Sequence, residues 1–220
     1  SRTKAVGAAG EDRKGWRGSH SVPRGDYAPG MTGTARAQLR PLHSDDADAV
    51  FEGFRSDPVG MARQGDVSDE ASARFYVDRT LESEATDAVA VVDPATDRLI
   101  GLVSVVRDEE NRSGWFSYWL NSAWRGDAIM ARAAATVADA ELAEGGLERL
   151  ELGHRANNPT SGSVARAAGF LHEGTQRGHF LIDGRRQDVH LYGRLPSDPQ
   201  PAEKVRPLPW ASDERPWSGR

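Results

Sequence analysis

A turn between an aromatic strand candidate and an apolar helix candidate holds the first residues that could do chemistry. Residues 113–121 are the strand candidate, and the sequence Arg-Gly-Asp-Ala-Ile at 125–129 leads into a helix predicted over 129–142. Small residues at a helix N-terminus let an anion approach main-chain N–H groups, and the helix dipole favours negative charge there. The junction is therefore a candidate anion-binding turn, although an Arg-Gly pair before a helix also occurs in ordinary turns.

A second group of polar residues lies around a short helix candidate over residues 159–168. Asn158 precedes this helix, Ser161 stands in its first turn, and Gly169 ends it before Phe170. An asparagine in this place caps a helix by accepting a hydrogen bond from a first-turn N–H group. The hydroxyl of Ser161 can satisfy the first turn or donate a proton, and both roles stay open.

Together these segments resemble the GNAT acyltransferase superfamily, in particular its RimJ/RimL-like branch, which acetylates ribosomal protein N-termini. The resemblance covers roughly residues 39–195 and depends mainly on the C-terminal third. There the order Asn-x-x-Ser, short helix, Gly-Phe and Glu-Gly is matched, and the likeness continues through Asp188–Tyr192. It implies acetyl-CoA or another acyl-CoA as co-substrate and transfer of the acyl group to a primary amine.

The resemblance also implies which residues hold the co-substrate. A backbone amide near Trp119 or Leu120 is expected to polarise the thioester carbonyl. The turn departs from the family at Ala128, which replaces the central glycine and fits if its φ is negative. Asp127 would oppose a phosphate unless its side chain points to solvent. The implied cofactor-binding residues are Trp119, Leu120, Arg125, Gly126, Asp127, Ala128, Ile129 and Asn158.

Ser161 is the proton donor that the resemblance implies for the departing thiolate. Many GNAT members use a tyrosine four residues later in this helix, and Ala165 stands there in this chain. Ser163 is the second candidate for this proton donor. Ser161 is therefore expected to be catalytic, with helix capping as the alternative role.

The proton that leaves the attacking amine needs a different acceptor. The third strand commonly supplies a glutamate in this family, but this chain has Trp115 there. The RimL-like branch has an acid where this chain has His179. An imidazole with an unperturbed pKa near ~6.5 suits a base at neutral pH. The resemblance therefore implies His179 as the base, with His154 and His190 as lesser candidates.

The composition argues against several other classes of function. A formal net charge of −5 disfavours electrostatic binding to nucleic acid. The absence of cysteine removes thiol nucleophiles, and six scattered histidines without paired spacing predict no metal site. No apolar run approaches the ~20 residues of a membrane span. We expect a cytoplasmic protein without membrane, nucleic-acid or metal partners, and a homodimer is compatible with the resemblance.

The predicted elements give an α/β fold of the GNAT type, with a mixed central sheet, flanking helices and a C-terminal hairpin across Asp183-Gly184. Three regions are expected: a flexible N-terminal extension over 1–35, the GNAT domain over 36–196, and a Pro-rich tail over 197–220. The predicted strands span 38–42, 88–92, 99–106, 113–121, 147–153, 170–182 and 187–195, and the predicted helices span 44–55, 68–83, 129–142 and 159–168.

Two further questions stay open from the sequence. The aromatic residues between Trp115 and Trp124 suit either core packing or the wall of an acceptor pocket. The acceptor itself is a peptide N-terminus or a small-molecule amine. The alternative function is a catalytically silent GNAT-like module that senses CoA or binds a protein.

Overall fold

Seven strands form one mixed sheet in the computed structural model, which describes residues 36–201 and 205–218. The sheet order is β1-β2-β3-β4-β5-β7-β6, in which β4 and β5 are parallel and the other neighbours are antiparallel. The strands are β1 (Gln38–Pro41), β2 (Thr86–Val92), β3 (Leu99–Asp108), β4 (Ser113–Leu120), β5 (Arg149–Arg155), β6 (Leu171–Ile182) and β7 (Arg185–Arg194).

Helices cover both faces of this sheet, so its central strands carry apolar residues on both sides. On β2, Val89 and Val91 join one core, whereas Ala88, Ala90 and Val92 join the other. The helices are α1 (Ala47–Ser56), α2 (Pro58–Met61), α3 (Glu70–Glu82), α4 (Ile129–Ala143) and α5 (Pro159–Ala167). Helices α4 and α5 pack in the first core, and α1 and α3 pack in the second.

One close approach fixes Trp119 against α1. A Cβ atom on Gly53 would lie 2.5 Å from the Trp119 ring, so only glycine fits there without displacing the ring. The Trp119 side chain is 5% exposed and packs edge-on against Phe54. The Trp119 side chain therefore belongs mainly to the core, and the residue lines the site described below mostly through its backbone.

The predicted fold is confirmed, including the final hairpin. Asp183 and Gly184 have φ of 48° and 72° between β6 and β7, and two successive positive φ values are typical of a type I′ turn. Helix α2 was not predicted, although an aspartate followed by proline is a usual helix start. Asp57 caps α2 through its side chain, which accepts a hydrogen bond from the N–H of Gly60 at 3.0 Å.

The Pro-rich C-terminal segment packs on the domain over residues 205–218. The N–H of Leu39 donates to the carbonyl of Pro209 at 2.9 Å, and the N–H of Ala211 donates to the carbonyl of Leu39 at 2.8 Å. The N–H of Leu208 donates to the hydroxyl of Thr136 on α4 at 2.9 Å. The segment thus covers the edge of β1, which would otherwise leave backbone groups unpaired.

The predicted N-terminal extension over 1–35 lies outside the described residues, and the domain boundary at 196 stays a prediction. Within 36–201 and 205–218, each helix is too short or too polar to cross a bilayer.

Candidate active site

A gap between two parallel strands forms the centre of the site. The ladder between β4 and β5 joins Ser113–Trp115 to Arg149–Glu151 and ends there, although both strands continue. Because the strands separate beyond this point, backbone groups on one edge of β4 face the gap instead of a neighbouring strand.

The alternation of backbone groups along β4 identifies which residues face this gap. The N–H of Asn121 donates to Ile100 on β3 at 2.8 Å, so the odd-numbered residues of this stretch face β3. Tyr118 and Leu120 then face the gap, where their carbonyls accept hydrogen bonds from Gln64 at 3.2 Å and Arg125 at 3.5 Å. Of the two predicted carbonyl-polarising positions, Leu120 therefore has its N–H directed into the gap.

A cavity of about 510 Å³ opens on one side of the gap, and we call it the donor cavity. Seven of the eight residues predicted for cofactor binding line it, and so does Ser161. The seven are Trp119, Leu120, Arg125, Gly126, Ala128, Ile129 and Asn158.

The eighth predicted residue, Asp127, is not among those that line this cavity. Its side chain pairs with Arg36 and is 51% exposed. The carboxylate thus points away from the place expected for a phosphate. The sequence analysis required this orientation if the turn is to bind a phosphate. Arg125 does line the cavity, where its guanidinium is paired with Asp57 at 2.8 Å.

The start of α4 carries main-chain donors for an anion. Its N-cap residue is Ala128, whose methyl group cannot accept a capping hydrogen bond. The first four N–H groups of an α-helix have no partner inside the helix. These groups and the adjacent Gly126, which has open space where a Cβ would stand, suit the pyrophosphate of an acyl-CoA.

The backbone of Ala128 differs from the sequence-based expectation. Its φ is 56° and its ψ is 16°, so the requirement for a negative φ at this position is wrong. This is the left-handed region, which an L-residue with a Cβ occupies at a cost. The turn therefore has a conformation that favours glycine even though the residue is alanine.

Ala128→Gly is expected to raise the free energy of unfolding by roughly 1 kcal/mol, because glycine has no Cβ to strain at positive φ. Urea denaturation measures the change. Ala135→Gly, in the interior of the same helix, is the matched control and should lower stability by about 1 kcal/mol. A loss of stability in both variants would contradict a strained turn.

Two hydroxyl groups meet at the end of the donor cavity. The Tyr118 hydroxyl donates to the carbonyl of Ser161 at 2.7 Å and lies 3.1 Å from the Ser161 Oγ. Burial raises the pKa of Tyr118 to about 12, so its phenol stays protonated at neutral pH. Both hydroxyls can thus donate protons, and Tyr118 forms part of a pocket wall.

Asn158 holds the helix that carries Ser161. Its side-chain oxygen accepts a hydrogen bond from the Ser161 N–H at 3.4 Å, as a helix N-cap does. Ser163, the second candidate acid, donates its hydroxyl to Pro159 within the same helix at 3.1 Å. Ser161 is therefore the hydroxyl of α5 that is directed toward Tyr118.

A second cavity of about 240 Å³ adjoins the first, and we call it the acceptor cavity. The two share five residues, so the hydroxyl pair stands at their junction. Trp115 and Phe180, which are 47% and 41% exposed, line its outer part. The shared residues are Arg63, Gln64, Tyr118, Asn158 and Ser161. A larger cavity of about 810 Å³, beside the end of α3, contains none of the predicted site residues.

His179 lies outside both cavities. Its side chain is exposed and its ring contacts the ring of Phe180 at a centroid distance of 4.5 Å. Phe180, the next residue, lines the acceptor cavity instead. The assignment of His179 as the base stays a prediction, and the structure gives it no contact with the hydroxyl pair.

His154, a lesser candidate in the sequence, does line the acceptor cavity. Its Nδ1 lies 2.9 Å from the carbonyl of Arg155, which can only accept, so Nδ1 carries the proton and the lone pair is on Nε2. Nε2 is buried and has no hydrogen-bond partner among the described residues. Burial lowers the pKa of His154, so the ring is neutral at physiological pH.

In the sheet, His154 lies close to two other histidines, His172 and His190, which come from later strands. The ring centroid of His190 lies 5.4 Å from that of His154 and 5.5 Å from that of His172. Within the described ranges, no group of His, Asp and Glu residues is arranged to hold a metal ion. Of the three histidines, His154 alone lines the acceptor cavity.

Asp57, Arg63 and Gln64 were missed from the sequence, because the segment that carries them has no apolar periodicity. The Asp-Pro start of α2 was the available signal, but it indicates a helix and not what the helix covers.

Comparisons with known proteins agree with this geometry. A family model for the acetyltransferase (GNAT) domain matches residues 36–171. The ribosomal-protein-serine acetyltransferase of Escherichia coli is 32% identical over 100 residues, which are 45% of this chain and 56% of that enzyme.

Solved structures show the same fold. The ribosomal-protein-S5-alanine acetyltransferase of Vibrio fischeri superposes with a TM-score of 0.66 at 23% identity, covering 76% of this chain and 96% of that one. The L7/L12 acetyltransferase RimL in complex with coenzyme A gives a TM-score of 0.66 at 19% identity, covering 74% and 95%. Since the family model covers well over half of the 220 residues and the fold agrees, the chain belongs to the GNAT acetyltransferase family.

Proposed function

We propose that this chain is an acyl-CoA-dependent N-acyltransferase that transfers an acetyl or similar acyl group to a primary amine. The observation that carries the proposal is the position of the Ser161–Tyr118 hydroxyl pair between the two cavities. One cavity has an uncapped helix N-terminus suited to a pyrophosphate, and the other is a smaller pocket suited to an amine.

In the proposed reaction, the chain orients the two substrates and manages two protons. The Leu120 N–H donates to the carbonyl oxygen of the thioester and stabilises the charge that develops there. As the amine nitrogen bonds to the carbonyl carbon, the carbon–sulfur bond breaks, and Ser161 gives its proton to the leaving sulfur. Tyr118 then returns a proton to Ser161 through their 3.1 Å contact, and solvent restores the phenol proton once the products have left.

The amine must lose a proton before or during the attack, and His154, which lines the acceptor cavity, is the alternative to His179 as the group that takes it. If His154 takes the proton, kcat/KM should rise with pH as His154 loses its own proton. Because burial lowers the pKa of His154, this rise should occur at a lower pH than for an ordinary imidazole. His154→Gln should remove this rise, whereas His179→Ala should leave the profile unchanged. A profile altered only in the His179 variant would restore the assignment made from the sequence.

A protein N-terminus is one acceptor class, supported by the substrates that the names of the relatives state. The match to the Escherichia coli enzyme spans only 56% of its length, so the acceptor is not transferred from it directly. A cytoplasmic location is part of the proposal, supported by the ribosomal substrates of these relatives. The homodimer stays a prediction of the resemblance.

The first test is binding of the co-substrate. Acetyl-CoA should raise the thermal midpoint and give a calorimetric Kd below the high micromolar range, since a ligand at 100 times its Kd stabilises a fold by about 2.7 kcal/mol. The same measurements with CoA and succinyl-CoA show which acyl group, if any, increases the affinity. A silent scaffold would show no shift with any of the three.

Ala128→Asp should abolish this binding, because it places a carboxylate in the wall expected to hold the pyrophosphate. Aspartate tolerates the left-handed conformation, so the fold should survive. Ala128→Asn has nearly the same shape without the charge, and it should still bind acetyl-CoA. Equal binding by both variants would place the pyrophosphate elsewhere.

A further inference from the structure

Two arginines give the acceptor cavity a positive charge that no lining residue balances. Arg63 comes from the segment after α2, and Arg155 is the last residue of β5. Among the described residues that line this cavity, none is Asp or Glu. The cavity proposed to receive an amine is thus lined by cations.

The charge of Arg63 acts on the guanidinium of Arg155. Burial, and then repulsion from Arg63, lowers the pKa of Arg155. Arg63 has a buried Nε without a hydrogen-bond partner in the described part of the chain. Within that part, neither arginine lies within ion-pair distance of a carboxylate, although Arg63, after the larger effects of Gly60 and Arg125, also lowers the pKa of Asp57, which is paired with Arg125 at 2.8 Å. Two like charges held close together in a partly buried place favour the binding of an anion.

Arg155 is also held in a fixed position. Its guanidinium lies over the ring of Phe180, 5.1 Å from the centroid. Stacking on an aromatic face leaves the N–H groups at the edge of a guanidinium free to bind a carboxylate through two hydrogen bonds. Arg155 lines the acceptor cavity and does not line the donor cavity, so its charge is not placed for the pyrophosphate.

We propose that the acceptor carries a carboxylate close to its reacting amine, and that Arg63 and Arg155 bind this carboxylate. The inference depends on the proposed function and names the substrate class of the same site. With the carboxylate at the arginines, the amine is directed toward Ser161 and Tyr118. The same chemistry occurs in a peptide that has an acidic residue close to its N-terminus and in a free acidic amino acid.

The test uses three tetrapeptides that share an N-terminal serine and carry glutamate, glutamine or lysine at positions two and three. We expect kcat/KM with acetyl-CoA to fall about tenfold from glutamate to glutamine and further with lysine. Free aspartate, assayed beside them, distinguishes an amino acid from a peptide as the source of the carboxylate. Equal rates for the three peptides would overturn the proposal while leaving the acyltransferase function in place.

Arg155→Glu supplies the decisive variant. In this variant the lysine peptide should have the highest kcat/KM and the glutamate peptide the lowest. The calorimetric Kd for acetyl-CoA should stay unchanged, since Arg155 lies outside the donor cavity. Arg177→Glu, an exposed position on β6 that lines neither cavity, makes the same change in net charge and should keep the original order. An Arg155→Glu enzyme with the original order would overturn the assignment.

Binding separates failure of this inference from failure of the proposed function. Each peptide is titrated calorimetrically into the protein saturated with CoA, which cannot transfer an acyl group. Preferential binding of the glutamate peptide without turnover supports the charged pocket and contradicts the acyltransferase function. Turnover with no preference for the glutamate peptide contradicts the charged pocket alone.

Discussion

Replacing Ser161 by alanine is expected to lower kcat about 100-fold and leave the KM for acetyl-CoA nearly unchanged. A positioned proton donor contributes on the order of 10²–10⁴-fold to such reactions. The interaction exists mainly as the thiolate forms, so its loss affects the transition state and not ground-state binding. Steady-state kinetics with the best peptide acceptor measures both constants.

Tyr118→Phe tests the partner of this serine. Removing the phenol should lower kcat less than Ser161→Ala does, because Ser161 would still donate its own proton. Since the two hydroxyls lie 3.1 Å apart, the double variant should lose less than the sum of the two single losses in activation free energy. Fully additive losses would show that Tyr118 acts independently of Ser161.

Ser163→Ala is the matched control on the same helix. Its hydroxyl already donates to Pro159 within α5, so kcat should stay close to that of the parent enzyme. If Ser161→Ala and Ser163→Ala behave alike, Ser161 only satisfies the first turn of the helix. Circular dichroism on each variant verifies that α5 is intact.

Arg107→Met is expected to produce the largest loss of stability, about 3–5 kcal/mol. The Arg107 side chain is 5% exposed and bonds Asp87 at 3.0 Å and Glu141 at 3.1 Å, and both carboxylates are 0% exposed. It also donates to the carbonyl of Gly145 at 2.8 Å, beyond the end of α4. Removing the guanidinium removes the positive charge that pairs with two buried carboxylates. It also removes the contacts through which β3 is joined to α4 and to the residues after it.

Arg112→Met is the control for this experiment. Arg112 pairs with Glu148, but both side chains are 65% exposed, and exposed pairs contribute only about 0–1 kcal/mol. Urea denaturation at neutral pH compares the two variants. A similar small loss in both would mean that water or neighbouring groups compensate the buried carboxylates around Arg107.

The chain order of the elements was readable from the sequence because it depends on local patterns. The continuous apolar run of β2, the turn at Asp183-Gly184 and the glycine after α5 each act within a few residues. The GNAT resemblance also depended on short spacings, such as that between Asn158 and Ser161. Short spacings of this kind were therefore enough to identify eight of the residues that line the donor cavity.

The backbone of the phosphate-binding turn was decided by its surroundings. Alanine prefers a negative φ, and the sequence-based expectation followed that local preference. In the folded chain, Ala128 must connect the end of the β4 segment to α4 while Ile129 and Met130 enter the core. Core packing outweighs a local preference of roughly 1–2 kcal/mol, so the residue adopts positive φ.

Short local patterns were sufficient to predict the fold class and part of the lining of the donor cavity, whereas Asp57, Arg63 and Gln64, which line the same cavity, were not predicted. The acceptor side depends on tertiary structure. Arg63 and Arg155 are far apart in sequence, and the register of β5 with β7 places His190 opposite His154. Such pairings depend on how strands and loops assemble, and strand registers are set by long-range packing that single-sequence patterns do not contain.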